Sequence, residues 1–194
     1  MGRQLEFEPS EAIQEAMSVF WRKGYERTSV ADLEESTGIG RKSLYRKFEG
    51  KERLFLAALA NYQDLMAKQN LSALMRAEAD LADIRNLLEN LVKIASTPEG
   101  SMGCLICNTA VEFGRENEAI ANHVDAYFDQ IRRALRNALE GAIAKKQIEL
   151  APAEITAEVN FLFGILQSLC VLGRAGLSKN ALNDVVGTAL KRLG

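Results

Sequence analysis

Apolar residues recur three and four positions apart along almost the whole of this chain, and glycines interrupt them. Ile13, Met17, Phe20 and Trp21 share one face, as do Leu81, Ile84, Leu87, Leu88 and Leu91. A longer set follows: Ile120, Val124, Tyr127, Phe128, Ile131, Leu135 and Leu139. That spacing specifies amphipathic helices; half-buried strands alternate with a period of two. Only three prolines occur, and Pro9 and Pro152 stand where helices are expected to begin. Apolar residues make up 47% of the 194, enough to bury a core. The expected fold class is all-α.

The punctuation divides the helices. Ser10 is the expected N-cap of the first, and Gly24 its left-handed end. Thr28 or Ser29 caps a short second helix that places Asp32 in its first turn and stops at Gly38. A third runs from Arg41 to Phe48, and a longer one starts at Lys51. A looser segment spans 71–80, helices cover 80–95 and 104–114, and a break at 97–103 separates them. A long helix covers 117–146, Pro152 opens the next, and Ser178 caps the last. A domain boundary is placed near residue 56, giving a three-helix unit over 1–56 and a larger helical unit over 57–194.

Two short helices joined by a Gly-containing turn form a helix-turn-helix, with the first helix as the third wall of its core. The formal charge of the chain is -2, yet Arg41, Lys42, Arg46, Lys47, Lys51 and Arg53 cluster in thirteen residues against Glu49 and Glu52 alone. Leu44 and Phe48 share one face of the third helix, leaving Arg41, Lys42, Tyr45 and Arg46 on the others. A cationic, aromatic-bearing helix face suits the major groove of double-stranded DNA. Arg41, Lys42 and Arg46 are the base-reading candidates, since Arg and Lys pair with guanine O6 and N7. Thr28, Ser43, Lys47 and Lys51 are assigned to phosphates, Tyr45 to either, and Gly40 to the N-cap of the recognition helix. Gly38-Ile39-Gly40 is not a dinucleotide loop, because it lacks a third glycine and a preceding strand.

From Val159 to Leu172 nearly every side of one helix carries Leu, Ile, Phe or Val. One face can pack on the chain's own core, and the other calls for a partner. A homodimer built as a four-helix bundle from the last two helices meets that need. Phe161, Gly164, Ile165, Ser168, Leu172, Leu182, Val186 and Leu190 are its expected interface.

Cys104 and Cys107 form a C-x-x-C with no strand before it, and only Cys170 and His123 remain to complete a zinc site, so no metal is expected. The two thiols read as small core residues, or Cys104 as a sensor of oxidants or electrophiles near a helix N-terminus. Three cysteines in an acidic chain, a first stretch 1–9 without an apolar core and no long uninterrupted apolar run lead to a cytoplasmic protein with no leader and no membrane partner. One histidine and no nucleophile–base pair give no basis for an enzyme.

At these residues the chain resembles the TetR family of bacterial transcriptional regulators. The resemblance rests on 12–56, above all on "YERTSVADLEESTGIGRKSLYRKFEGKERLF", with its capped second helix, Gly turn, Leu-Tyr pair, Phe and Lys-Glu. Beyond residue 60 it is architectural, with "GCLICNTAVEF" similar to one subset of the family. Gly40 stands where the family often has Ser, which removes a hydroxyl from the recognition-helix cap. The resemblance implies a homodimeric repressor of a palindromic operator, released when a small-molecule effector enters the larger domain, with no cofactor. Read from their own chemistry, the effector candidates are Tyr62, Met66, Cys104, Asn108, Glu112, Phe113, His123, Tyr127 and Phe161. For the aromatic residues core packing is an equal explanation, and Glu112 is equally explained by a polar contact between helices. The alternatives are a repressor that senses electrophiles through Cys104, and a helical interaction protein without DNA binding.

Overall fold

The structure, a computed structural model, describes residues 8–193. The stretch for which no leader is expected therefore lies outside the described residues, apart from Glu8 and Pro9. The order is α1 (Pro9–Lys23), α2 (Val30–Thr37), α3 (Arg41–Phe48), α4 (Lys51–Met66), α5 (Leu81–Ala95), α6 (Leu105–Phe113), α7 (Glu118–Ala144), α8 (Pro152–Arg174) and α9 (Lys179–Leu193). A π-helical turn, Ala67–Leu71, extends α4, and a 3₁₀ turn, Glu99–Met102, precedes α6. There is no strand among the described residues.

Side chains close several helix starts. Ser29 Oγ accepts the Asp32 N–H at 3.1 Å, and the Asp32 carboxylate accepts the Ser29 N–H at 2.9 Å. The second bond and Lys23 Nζ, 2.7 Å from Asp32, hold that carboxyl down near a pKa of about 2, the lysine contributing most. Asp80 and Asp83 make the same reciprocal pair at α5, and Asn117 Oδ1 accepts the Ile120 N–H at α7. The start of α1 differs from expectation. Pro9 takes the first helical position with Glu8 as N-cap, so Ser10 falls inside the first turn. Proline's fixed φ suits that position, which moves the helix start two residues ahead of the expected one. Gly24 has φ +80° but ψ 168°, an extended mirror conformation rather than the left-handed helical one expected, whereas Gly38 is left-handed.

The N-terminal core gathers Phe20, Leu33, Leu44, Leu54 and Phe55, with Phe20 and Phe55 edge to face at 4.9 Å. α4 runs from this core into the larger one, where it buries Tyr62. The boundary placed near residue 56 thus falls inside a continuous helix, and we keep the two-unit division, 1–56 and 57–194, as a proposal. α7 is the spine of the larger bundle, with Ala134, Leu135, Ala138, Leu139 and Ala142 fully buried. Gly141 is required there: a Cβ would lie 2.0 Å from the Ala79 carbonyl oxygen.

α8 is long and apolar enough to cross a membrane by length and composition, and only 28% of its most apolar window is buried. Its outer face carries half-buried Phe161, Ile165, Ser168 and Leu172, with Gly164 exposed and Val171 54% exposed. The expected contribution of α9 needs correction. Leu182, Val186 and Leu190 are buried within the chain's own core, on the side of α9 that packs α5 and α8. Their four-residue spacing forms one stripe, and a stripe committed to the core cannot also meet a partner.

Candidate nucleic-acid interface and effector cavity

α3 buries Leu44 and half-buries Phe48, which seats it on α2 and α4. Arg41, Lys42, Tyr45, Arg46 and Lys47 are exposed. Arg41 Cζ lies 5.5 Å from the centre of the Tyr45 ring, and among the described residues none of the four cations pairs with a carboxylate. Unpaired cations on a helix seated only by its inner face are a preformed surface for phosphates and base edges. Gly40 is the N-cap and offers no side chain. The Glu34 carboxylate takes that role instead, accepting the Arg41 N–H from α2. Sequence reading missed Glu34, because its partner lies in the next helix rather than in its own.

One assigned phosphate contact is placed differently. Thr28 is buried and its hydroxyl donates to the Gly24 carbonyl at 2.6 Å, so it closes the α1–α2 turn and does not face outward. Lys51 Nζ sits 4.1 Å from the centre of the Tyr25 ring, a cation–π contact. Ser43 is half-buried in the first turn of α3.

A cavity of about 540 Å³ opens in the larger domain between α4, α5, α7 and α8. Its walls include Tyr62, Met66, Cys104 and Tyr127 from the expected set. They also include Trp21, Leu91, Gln167 and Cys170, which sequence alone did not single out. A largely apolar chamber with a few polar groups is the ordinary form of a small-molecule site. Trp21 reaches it from α1, its ring edge to face with Tyr62 at 5.0 Å and its Nε1–H donating to the Gly103 carbonyl at 3.0 Å.

Cys104 is the N-cap residue of α6, where the helix dipole favours a thiolate. The neighbouring Cys107 thiol, then Cys170 and the Tyr62 hydroxyl, hold its thiol well below the ordinary range by hydrogen bonding, against the cost of burial. Cys107 and Cys170 are pushed up, chiefly by the same bonding to Cys104, and burial raises Tyr62 and Tyr127. The Cys107 thiol also faces the side-chain carbonyl of Gln167. Among the described residues, no three His, Cys, Asp or Glu side chains are grouped to hold a metal ion.

The remaining effector candidates lie off the cavity wall. Asn108 Nδ2 donates to the Met102 carbonyl at 2.9 Å and ties α6 to the preceding turn. Phe113 packs against Tyr25 and Phe55 at 5.2 and 5.9 Å, between the domains. His123 lies against Gln63 of α4, its Nδ1 3.4 Å from Oε1, and partial burial lowers its pKa. Phe161 sits on the outer face of α8 under the Arg192 guanidinium, 4.8 Å away. Glu112 accepts two backbone N–H groups from the α1–α2 junction. Aromatic and polar composition marked these residues, but only tertiary placement separates a cavity wall from an interdomain seam.

Known proteins share this arrangement. The pattern of bacterial regulatory proteins of the tetR family matches residues 12–58, and that of the tetracyclin repressor-like C-terminal domain matches 81–186. The HTH-type transcriptional repressor ComR of Escherichia coli (strain K12) is 32% identical, over 98% of this chain and 90% of that protein. The HTH-type transcriptional regulator YezE of Bacillus subtilis (strain 168) is 29% identical over the full length of both. The regulator CifR, solved as a triple cysteine mutant on a 26-base-pair operator duplex, superposes with a TM-score of 0.85 at 29% identity, over all of both chains. With a family pattern over more than half its length and a relative of this identity along almost all of it, the chain belongs to the TetR family of bacterial regulatory proteins.

Proposed function

We propose that the chain is a homodimeric transcriptional repressor that binds a palindromic operator through α3 and lets go when a small apolar molecule occupies the cavity. The observation that carries the reading is the α3 surface. Arg41, Lys42, Arg46 and Lys47 are exposed and without acidic partners among the described residues, on a helix whose opposite face is locked by Leu44. Arg41, Lys42 and Arg46 read bases. Tyr45, Lys47, Ser43, Lys51 and the backbone at Gly40 position the duplex. The outer face of α8, from Phe161 through Gly164, Ile165 and Ser168 to Leu172, meets its twofold mate. The ligand acts by population shift: it favours dimers whose recognition helices are wrongly spaced, so affinity for DNA falls by linkage. Relatives named as repressors, and one solved on its operator, support the same reading.

Selection of bound duplexes from a random pool by the purified protein tests it. The expected product is a palindrome whose half-sites are separated by about one helical turn. Absence of enrichment at moderate salt removes the regulator reading and favours a helical interaction protein.

The thiol cluster favours a second reading of the release step. Cys104 stands in the cavity wall with its thiol poised toward the thiolate. An α,β-unsaturated carbonyl entering there would receive a carbon–sulfur bond at its β-carbon. The alkene electron pair would move to the α-carbon, which takes a proton from water. Acrolein added to the operator complex tests this: release with a mass gain at Cys104 supports it, and release with Cys104 unmodified rejects it.

A further inference from the structure

Glu112 belongs to neither site, yet it joins the elements that carry them. It lies in the last turn of α6, the helix whose N-cap is Cys104 of the cavity wall. Its two carboxylate oxygens accept consecutive backbone amides of the other domain, Oε2 from the Tyr25 N–H at 3.0 Å and Oε1 from the Glu26 N–H at 2.8 Å. These amides follow Gly24 at the C-terminal end of α1, where the helix dipole disfavours an anion. The carboxylate is held there by the two donors and not by the field of the helix. Gly24 makes the room: a Cβ at that position would come 3.0 Å from Oε2 and 3.3 Å from Oε1.

We propose that Glu112 is the positioning residue through which occupancy of the cavity sets the placement of the recognition helix. The proposal rests on the reading of the cavity as the effector site. α6 is tied to the helix-turn-helix unit at both ends, by Trp21 to Gly103 beside the cavity and by Glu112 about 12 Å further along the helix axis. A ligand that displaces the Gly103–Cys104 wall moves a nine-residue helix whose far end grips the 25–26 amides. Those amides lead within four residues into α2, whose start is fixed by the Ser29–Asp32 pair. α2 in turn holds the first amide of α3 through Glu34. The Glu112 carboxylate is exposed, so its two bonds exchange for water at small cost. The clasp can therefore open without unfolding either domain.

Linkage gives the test, because a duplex that closes the clasp must weaken any ligand that opens it. Trp21 is the chain's one tryptophan and lines the cavity, so energy transfer from it to bound 1-anilinonaphthalene-8-sulfonate reports occupancy. In the wild type, saturating selected duplex should weaken dye binding about fivefold or more. In Glu112→Ala that ratio should fall below about twofold, with dye affinity in the absence of DNA unchanged or tighter, since no clasp is left to open. Glu112→Gln keeps the shape but turns an amide donor toward one of the two N–H groups, and should lose most of the ratio as well. A wild-type ratio in both variants overturns the clasp alone. A wild type whose dye affinity ignores the duplex overturns the effector reading, and the clasp with it.

Discussion

The Glu34 carboxylate accepts the backbone N–H of Arg41 across the turn between α2 and α3. A recognition helix that begins at glycine has no side-chain cap of its own, and here the preceding helix supplies one. Glu34→Ala should remove a cap bond of the kind that contributes about 1 kcal/mol. The melting temperature should fall by about 2 to 4 °C for a chain of this size, and operator affinity should weaken with it. A variant that melts and binds as the wild type does would show that α3 needs no such cap.

Arg46 and Lys51 should separate by the kind of loss they cause. Arg46→Ala should relax specificity at one base position and cost about 1 to 3 kcal/mol on the preferred site. Lys51→Ala should weaken all duplexes alike and reduce the salt slope by about one unit. Titrations on the selected duplex and on single-base variants read both effects. A base-selective loss at Lys51, whose ammonium lies over Tyr25, would mean that the assignment is reversed.

Cys104 carries the pH prediction. Its thiol is lowered, chiefly by hydrogen bonding from Cys107 and Cys170, so it loses its proton at lower pH than an ordinary cysteine. The rate of alkylation at Cys104 should rise less steeply with pH than that of an unperturbed thiol, which accelerates close to tenfold per unit below its pKa. Peptide mass analysis of timed samples checks it. Cys104→Ser should bind the operator normally and lose release by acrolein.

Ile165 sits half-buried in the middle of the outer face of α8. An arginine there would put a charge into the proposed twofold contact, at a position only partly buried against the monomer core. Ile165→Arg should sediment as a folded monomer and lose tight operator binding, because each half-site would be held alone. A dimer of unchanged mass would move the contact to another face.

Local signals made the helices legible, and contacts distant in sequence hid the rest. Ser29 with Asp32, Asn117 and Pro152 mark starts that local chemistry alone decides, and each is used as such. Ser10 misled because Pro9, one residue earlier, takes the first helical position. Leu182, Val186 and Leu190 were visible as an apolar stripe, but a stripe does not state whether it faces its own core or another chain. Glu112 meets amides 86 and 87 residues away, and Trp21 and Cys170 reach the cavity from opposite ends of the chain. Such meetings leave no periodicity in the sequence, so composition could name the residue types of the site but not its membership.

In the proposed complex α3 enters the major groove once from each protomer. Dimethyl sulfate interference on the selected duplex tests this directly, since the reagent methylates guanine N7 in the major groove and adenine N3 in the minor groove. Methylation of guanine N7 is expected to block binding at two sets of positions related by the twofold axis of the palindrome. Interference confined to adenine N3, or absent from both half-sites, would contradict it.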